Sequence, residues 1–200
     1  MIQALDAFTV AAEYGRSHTT FRLYLEGQRE PAARIHKDGA YDSRSSFRVY
    51  AGAGLDELAG YVTEFAAMTA QRVKVGTVRH RERTWRPDNW TFTQHDLGVL
   101  SGLPEGSGSR MRHSFPLRTV LDHFWGDALF SCRLRFRSPE SEGFALVRLA
   151  GVRARYGITV HDPRISRLLV LACIAQFNRY ATTDPRKSAQ EYLMPMPPQQ

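Results

Sequence analysis

The chain has 200 residues, of which 42% are hydrophobic and 11% aromatic, and its mean hydropathy is −0.39. This composition is typical of globular domains and excludes the collagenous, disordered and membrane-spanning classes. The formal net charge is +7, from 24 arginines and only three lysines against 20 acidic residues. Because arginine suits phosphate and carboxylate groups, the excess predicts anionic partners, although a coding bias toward arginine would produce the same count.

Alternating apolar and polar residues predict strands along most of the chain. In chain order, the alternating stretches are residues 21–25, 72–80, 90–94, 130–137, 144–149 and 152–160. The clearest is 130–137, where Phe, Cys, Leu and Phe alternate with Ser and three Arg, so one face is apolar and the other is cationic. The last two stretches predict a hairpin that turns at Ala150 and Gly151.

Two stretches predict peripheral helices. Within residues 52–65, apolar side chains recur at helical spacing, which predicts an amphipathic helix. These apolar residues are Leu55, Leu58, Ala59, Val62 and Phe65. Residues 115–124 predict a second, weaker helix.

The domain boundaries follow from composition. Residues 104–112 are rich in Gly and Ser and predict a flexible loop, and residues 194–200 contain only Pro, Met and Gln and predict a disordered tail. A single folded domain is therefore expected over residues 1–193.

The longest apolar run, residues 168–175, predicts a buried helix. Eight consecutive apolar residues leave no helix face for water, so other parts of the chain must surround it, with Leu168, Leu171 and Ile174 almost fully buried. Asp162 is expected to cap this helix and Pro163 to open it, which gives a helix over residues 164–177. The run is shorter than the about 20 residues that cross a bilayer core.

The order of these elements resembles the tubby-like superfamily, which includes the tubby C-terminal domain, phospholipid scramblases and LURP-one-related proteins. The resemblance is carried by the strand at 130–136 leading to Phe144, the strand at 153–160, and the following residues 161–172. It covers residues 70–178, and residues 20–70 more loosely. It implies a mainly β fold, a closed antiparallel barrel around the buried C-terminal helix, with one or two short peripheral helices. Some members of the superfamily bind phosphoinositides through basic residues on the barrel exterior.

The arginines of the cationic strand are the best candidates for an anion-binding site. If the strand at 130–137 lies beside the strand at 152–160, five guanidinium groups project together and would hold a phosphate by charge-assisted hydrogen bonds. The alternative is a solvated face whose arginines pair with carboxylates such as Glu140 and Glu142. The predicted anion-binding residues are Arg133, Arg135, Arg137, Arg153 and Arg155. A second basic cluster, at 79–86, is interpreted as a strand end and loop.

The functional hypothesis is a non-catalytic module that binds an anionic membrane surface or a phosphorylated ligand. One alternative is a DNA-binding regulatory protein that uses residues 93–112 as a helix-turn-helix, but the Gly and Ser residues at 106–109 are unfavourable in its second helix. Another alternative is a protein-interaction domain without a small ligand. Nucleic acid is the less favoured partner.

The sequence contains no signature of an enzyme, metal or cofactor site. It has no G-x-S-x-G, phosphate-binding or Cys-His motif. Three turns pair a histidine with an aspartate, but their spacing matches no known ligand motif, and they are interpreted as turn aspartates with incidental histidines rather than as a metal site. These pairs are His36 with Asp38, His95 with Asp96, and His161 with Asp162.

The two cysteines and the N-terminal residues favour a cytoplasmic location. Cys132 and Cys173 lie in apolar stretches and are expected to be buried thiols in a reducing compartment. Residues 1–14 have no basic region followed by an apolar run, so no signal peptide is predicted. The hypothesis places the protein in the cytoplasm, with peripheral association to membranes.

Overall fold

The computed structural model describes residues 2–41, 45–81, 89–105, 132–181, 186–187 and 189–190. Within these residues, twelve strands form a closed barrel, and a helix, α1 (Arg167–Ala181), follows the last strand. A short 3₁₀ turn, Ile2–Ala4, precedes the first strand. The strands are β1 (Ala7–Tyr14), β2 (His18–Tyr24), β3 (Ala33–Asp38), β4 (Phe47–Ala51), β5 (Glu57–Val62), β6 (Ala66–Thr69), β7 (Lys74–Arg81), β8 (Asn89–Gln94), β9 (Gly98–Pro104), β10 (Cys132–Ser138), β11 (Ser141–Arg148) and β12 (Arg155–Val160).

The barrel is an antiparallel meander. Each strand pairs with the next one in the sequence, and β12 pairs with β1 to close the sheet, with Phe8 opposite Ile158 and Val10 opposite Tyr156. Closure leaves no unpaired sheet edge among the described strands. The predicted mainly β fold, a closed antiparallel barrel around an apolar C-terminal helix, is confirmed.

The helix α1 fills the barrel interior. Leu169, Val170 and Cys173 are fully buried, and the ring of Phe177 lies 5.4 Å from Trp90 of β8 and 6.2 Å from Tyr156 of β12, measured between ring centroids. The periodicity of the strands explains this arrangement, because alternate residues point inward and supply a continuous apolar wall. The helix therefore completes the core that the strands alone leave open.

The predicted burial of the helix is correct at two of three positions. Leu171 is 3% exposed and Ile174 1%, whereas Leu168 is only partly buried, so the prediction that Leu168 is almost fully buried is wrong. Leu168 is the second residue of the helix and packs against Gly60 of β5, where an added Cβ would lie 2.8 Å from Leu168 Cδ1. Its place in the first turn leaves it less enclosed than residues deeper in the helix.

The helix begins later than predicted. It starts at Arg167 rather than at residue 164, and Ser166 is its capping residue, because the Leu169 amide donates to Ser166 Oγ at 3.4 Å. Asp162 instead closes a preceding turn by accepting the Arg164 amide at 3.0 Å. The predicted capping by Asp162 and opening by Pro163 are therefore wrong.

The predicted amphipathic helix over residues 52–65 is also wrong. Residues 52–55 form a turn, residues 57–62 form β5, and a second turn leads into β6 at Ala66. Leu55 has a φ of 53°, and Phe65 is 50% exposed, so neither contributes to a helical apolar face. The structure thus has one short strand between two turns where the sequence indicated one helix.

Other strand predictions are confirmed with shifted ends. The stretches at 21–25, 72–80, 90–94 and 130–137 correspond to β2, β7, β8 and β10. The stretches at 144–149 and 152–160 correspond to β11 and β12, which form the predicted hairpin. Its second strand begins at Arg155 rather than at residue 152, so the connecting loop spans residues 149–154. The predicted loop at 104–112 overlaps the end of β9 at Pro104, and its residues 106–112 lie outside the described residues. The predicted helix at 115–124, the tail at 194–200 and the domain end at 193 also lie outside them.

Candidate anion-binding surface

The five predicted arginines do not form one cluster. Arg133, Arg135 and Arg137 lie on the outer face of β10, but β11 separates this strand from β12, so the predicted adjacency is wrong. Arg155 begins β12 and Arg153 precedes it in the loop. Arg155 lies just beyond the C-terminal end of β11, where the Leu149 amide donates to the Arg155 main-chain oxygen at 2.9 Å. Arg137 lies beside the N-terminal end of β11. The arginines of β10 and those of the β11–β12 loop and β12 therefore do not lie on adjacent strands, which the prediction assumed.

Two of the five arginines are paired with carboxylates, as the solvated-face alternative proposes. Arg133 Nε lies 3.6 Å from Glu105 Oε2, and Arg135 Nη2 lies 3.3 Å from Glu142 Oε2. Arg135 also donates to the main-chain oxygen of Glu142 at 2.8 Å. The structure shows no such ion pair between the other three, Arg137, Arg153 and Arg155, and any described carboxylate.

Arg137 belongs to a row of polar side chains that crosses four strands. Arg79 of β7 opposes Thr91 of β8, Thr91 opposes Ser101 of β9, and Ser101 opposes Arg137 of β10. Since neighbouring strands lie about 4.8 Å apart, the two ends of the row are about 14 Å apart along the sheet. The row therefore places two hydroxyl groups between two exposed guanidinium groups.

The outer face of β7 to β10, here called the β7–β10 face, has an unbalanced charge. These four strands contain six basic residues and no Asp or Glu. Two described carboxylates pair with its arginines: Glu105 directly follows β9, and Glu142 lies on the neighbouring strand β11. The six basic residues are Lys74, Arg79, Arg81, Arg133, Arg135 and Arg137. Six of the chain's 27 Lys and Arg residues therefore lie on four of the twelve strands, with no acidic residue on those strands.

Two exposed apolar side chains lie within this cationic face. Val99 is 55% exposed and Leu103 51%, and both lie on β9 with Ser101 between them. Leu103 is opposite Arg135, and Val99 is opposite Thr93. The face therefore combines guanidinium groups, hydroxyl groups and a pair of apolar side chains.

The interpretation of the cluster at 79–86 as a strand end agrees with the structure, because Arg79 and Arg81 lie in the last residues of β7, with exposed side chains. Residues 82–86 lie outside the described residues. The sequence prediction did not join Arg79 and Arg81 to the arginines of β10. A usable signal was present in the sequence, because the alternating stretches at 72–80 and 90–94 and the stretch at 130–137 contain no acidic residue.

The three histidine–aspartate turns do not converge. The Asp96 and Asp162 turns lie near the start of α1, where Gln94 Nε2 donates to both Asp96 Oδ1 and the Arg164 main-chain oxygen. Asp38 lies opposite His18, whose main-chain oxygen accepts from Gln190 at the other end of the barrel. No group of three or more His, Cys, Asp or Glu residues suited to a metal occurs among the described residues.

Asp38 is part of a hydrogen-bonded group on the barrel exterior. Its carboxylate lies 3.3 Å from His36 Nε2 and accepts from Arg48 Nη2 at 2.6 Å, and His36 Nδ1 lies 2.8 Å from the Thr20 hydroxyl. The hydrogen bond with His36, aided by Arg48, lowers the pKa of Asp38 below its ordinary value. This carboxylate therefore neutralises an arginine on the β4 side of the barrel, unlike the β7–β10 face.

The helix-turn-helix hypothesis fails over its first half. Thr93 and Gln94 end β8, residues 95–97 form a turn, and Gly98–Pro104 is β9. The second helix would span residues 104–111, of which Pro104 ends β9 and residues 106–111 lie outside the described residues. Without its first helix, the motif cannot form as predicted.

The buried thiol of Cys173 is confirmed. It lies inside α1, and burial raises the pKa of its thiol well above the ordinary value. Cys132 is the first residue of β10. Among the described residues, no helix is both long and apolar enough to cross a membrane.

Comparisons with known proteins give no relative. No family model matches the chain, and no curated protein and no solved structure matches it either.

Proposed function

We propose that the chain is a non-catalytic binding module that attaches to anionic, phosphate-bearing membrane surfaces through the β7–β10 face. The observation that carries the proposal is the presence of six basic and no acidic residues on four adjacent strands. Each Lys or Arg near an anionic leaflet contributes about 1 kcal/mol of attraction. Several such groups on one rigid wall therefore produce a substantial affinity without any catalytic site.

The apolar side chains on β9 favour a membrane over a soluble phosphorylated ligand. Exposed Val99 and Leu103 would enter the headgroup region while the arginines beside them contact phosphates. A soluble phosphate compound would use the guanidinium and hydroxyl groups of the row but would leave both apolar side chains in water. The membrane uses all three features of the face.

The closed barrel around a C-terminal helix supports membership of the tubby-like superfamily as part of this proposal. That architecture is what the resemblance at residues 70–178 implies. Lipid headgroup binding on a barrel exterior is known for some members of the superfamily, and the β7–β10 face would be the corresponding surface in this chain. Cytoplasmic location with peripheral membrane association follows from the same proposal.

The proposal is tested by co-sedimentation of the protein with vesicles. One set contains only phosphatidylcholine, and the other also contains phosphatidylserine and a phosphoinositide, each at low and at high salt. We expect binding only to the anionic vesicles, and its loss at high salt, because the Debye length falls from about 10 Å at 0.1 M to about 3 Å at 1 M. Salt-independent binding, equal binding to both sets or no binding contradicts the proposal.

Two further binding measurements distinguish a membrane from a soluble phosphorylated ligand and from nucleic acid. A water-soluble inositol phosphate should not displace the protein from phosphatidylserine vesicles more effectively than inorganic phosphate at equal ionic strength. Specific displacement would instead identify a soluble phosphorylated ligand. Tighter binding to duplex DNA than to anionic vesicles at the same salt concentration would favour nucleic acid as the partner and contradict the membrane proposal.

A further inference from the structure

The hairpin between β11 and β12 carries a second concentration of positive charge. Arg148 ends β11, Arg153 lies in the loop and Arg155 begins β12. No acidic residue occurs between Glu142 and Asp162. Arg153 and Arg155 are exposed and form no ion pair with described carboxylates.

Arg148 differs from the other two because it is completely buried. It is 0% exposed and lies on the inward face, opposite Tyr156 of β12. Its Nη1 donates to the main-chain oxygen of Leu149, and its Nη2 donates to that of Gly151 at 3.1 Å. Its Nε is buried and has no hydrogen-bond partner, and no described carboxylate forms a salt bridge with the guanidinium group. One donor and one full charge are therefore unsatisfied.

This situation is costly unless an anion completes it. The guanidinium group stays protonated in proteins, and a buried charge without a counter-charge destabilises the fold. The two hydrogen bonds to loop oxygens explain why a donor is present at residue 148, but a neutral amide side chain could make them without burying a charge. They leave both the charge and the Nε donor unexplained.

We propose that Arg148 is the central residue of a binding site for a small oxyanion, a phosphate or a carboxylate, beneath the β11–β12 hairpin. An oxygen of the anion accepts the Nε hydrogen of Arg148, and the negative charge compensates the buried guanidinium group. Arg153 and Arg155 raise the local positive potential and attract the anion to the loop. The site is separate from the row that joins Arg79 to Arg137, because Arg155 and Arg137 lie toward opposite ends of β11.

The test measures binding of inorganic phosphate and of acetate to the full chain by calorimetry and by thermal unfolding at constant ionic strength, with chloride as the reference ion. We expect saturable stabilisation by at least one of the two oxyanions, and comparison of the two arms identifies the preferred chemistry. Arg148→Lys keeps the charge but removes the Nε donor, and should weaken binding about tenfold, the effect of losing one hydrogen bond to a charged group.

Two further variants keep the test decisive if the Arg148 variant does not fold. The double variant Arg153→Gln with Arg155→Gln replaces both exposed arginines and leaves the buried core intact. It should weaken saturable binding of the oxyanion several-fold. The matched control, Arg22→Gln with Arg48→Gln, removes the same charge from arginines that are paired with Glu13 and Asp38 on other strands, and should leave that binding unchanged. Absence of saturable stabilisation in the wild type, or equal binding by the hairpin variant and the wild type, overturns the proposal.

Discussion

The Ser141 hydroxyl donates to Asp162 Oδ2 at 2.6 Å, which joins the first residue of β11 to the turn that leads into the helix. The same carboxylate accepts from the Arg164 amide at 3.0 Å and from its guanidinium group at 2.7 Å. These interactions, with the Arg164 side chain contributing most, hold the pKa of Asp162 well below its ordinary value. The turn that sets the direction of the central helix is thus fixed by an ionised, buried carboxylate.

This carboxylate should make stability depend on pH in the acid range. Because the pKa of Asp162 is lower in the folded state, its contribution is complete above the unfolded-state value of about 3.9 and is lost as the pH falls below it. We expect Asp162→Asn to lower the free energy of unfolding by about 1–3 kcal/mol at neutral pH and to flatten its decline in acid. Urea unfolding at a series of pH values measures both effects. An unchanged acid slope in the variant would contradict this assignment.

Gly143 of β11 should tolerate no side chain. Its φ is +58°, and an added Cβ would lie 1.9 Å from the main-chain oxygen of Phe136. Gly98 is a matched control, because its φ is +78° but an added Cβ would meet nothing within 4 Å. We expect Gly98→Ala to cost about 1 kcal/mol and Gly143→Ala to cost clearly more, measured as free energies of unfolding. Equal costs would show that the strand can move to accept the methyl group.

The buried helix should respond to substitution according to the depth of each residue. Leu171→Asp places an unpaired charge in the core and should prevent folding, and Leu171→Ala should cost about 2–5 kcal/mol. The same truncation at Leu168, which is only partly buried, should cost less. Circular dichroism and urea unfolding give the comparison. A folded Leu171→Asp protein of wild-type stability would contradict the enclosed helix.

Cys173 should be chemically silent in the folded protein. Its thiol is buried and its pKa is raised, so the reactive thiolate is scarce at neutral pH. We expect iodoacetamide to leave the peptide containing Cys173 unlabelled under native conditions and to label it fully in urea, as measured by mass spectrometry. Rapid native labelling of that peptide would mean that the helix is accessible.

The sequence predicted the barrel well where inward positions carry large apolar side chains. Alternation at Leu134 and Phe136 identified β10, and the uninterrupted apolar run identified the enclosed helix. The prediction failed at β5, where Gly60 occupies an inward position because Leu168 of the helix packs against it. A glycine adds nothing to an alternating apolar pattern, so the flanking leucines and valine indicated helical spacing instead.

The candidate site was only partly predictable for a related reason. Local alternation shows that Arg133, Arg135 and Arg137 share one face, but not which strand lies beside them. That neighbour is decided by the meander, which places β9 on one side of β10 and β11 on the other. The row from Arg79 to Arg137 spans residues far apart in the sequence and exists only through the pairing of four strands.

The most direct test of the β7–β10 face is vesicle binding by two double variants with equal loss of charge. Arg79→Gln with Arg137→Gln removes both ends of the arginine row. Arg22→Gln with Arg48→Gln is the control, since these arginines are paired with Glu13 at 3.1 Å and Asp38 at 2.6 Å on other strands. At about 1 kcal/mol for each arginine, the row variant should bind anionic vesicles about thirtyfold more weakly than the wild type, and the control should bind much as the wild type does. Equal weakening by both variants would show that binding depends only on the net charge of the protein, and would contradict a defined binding face.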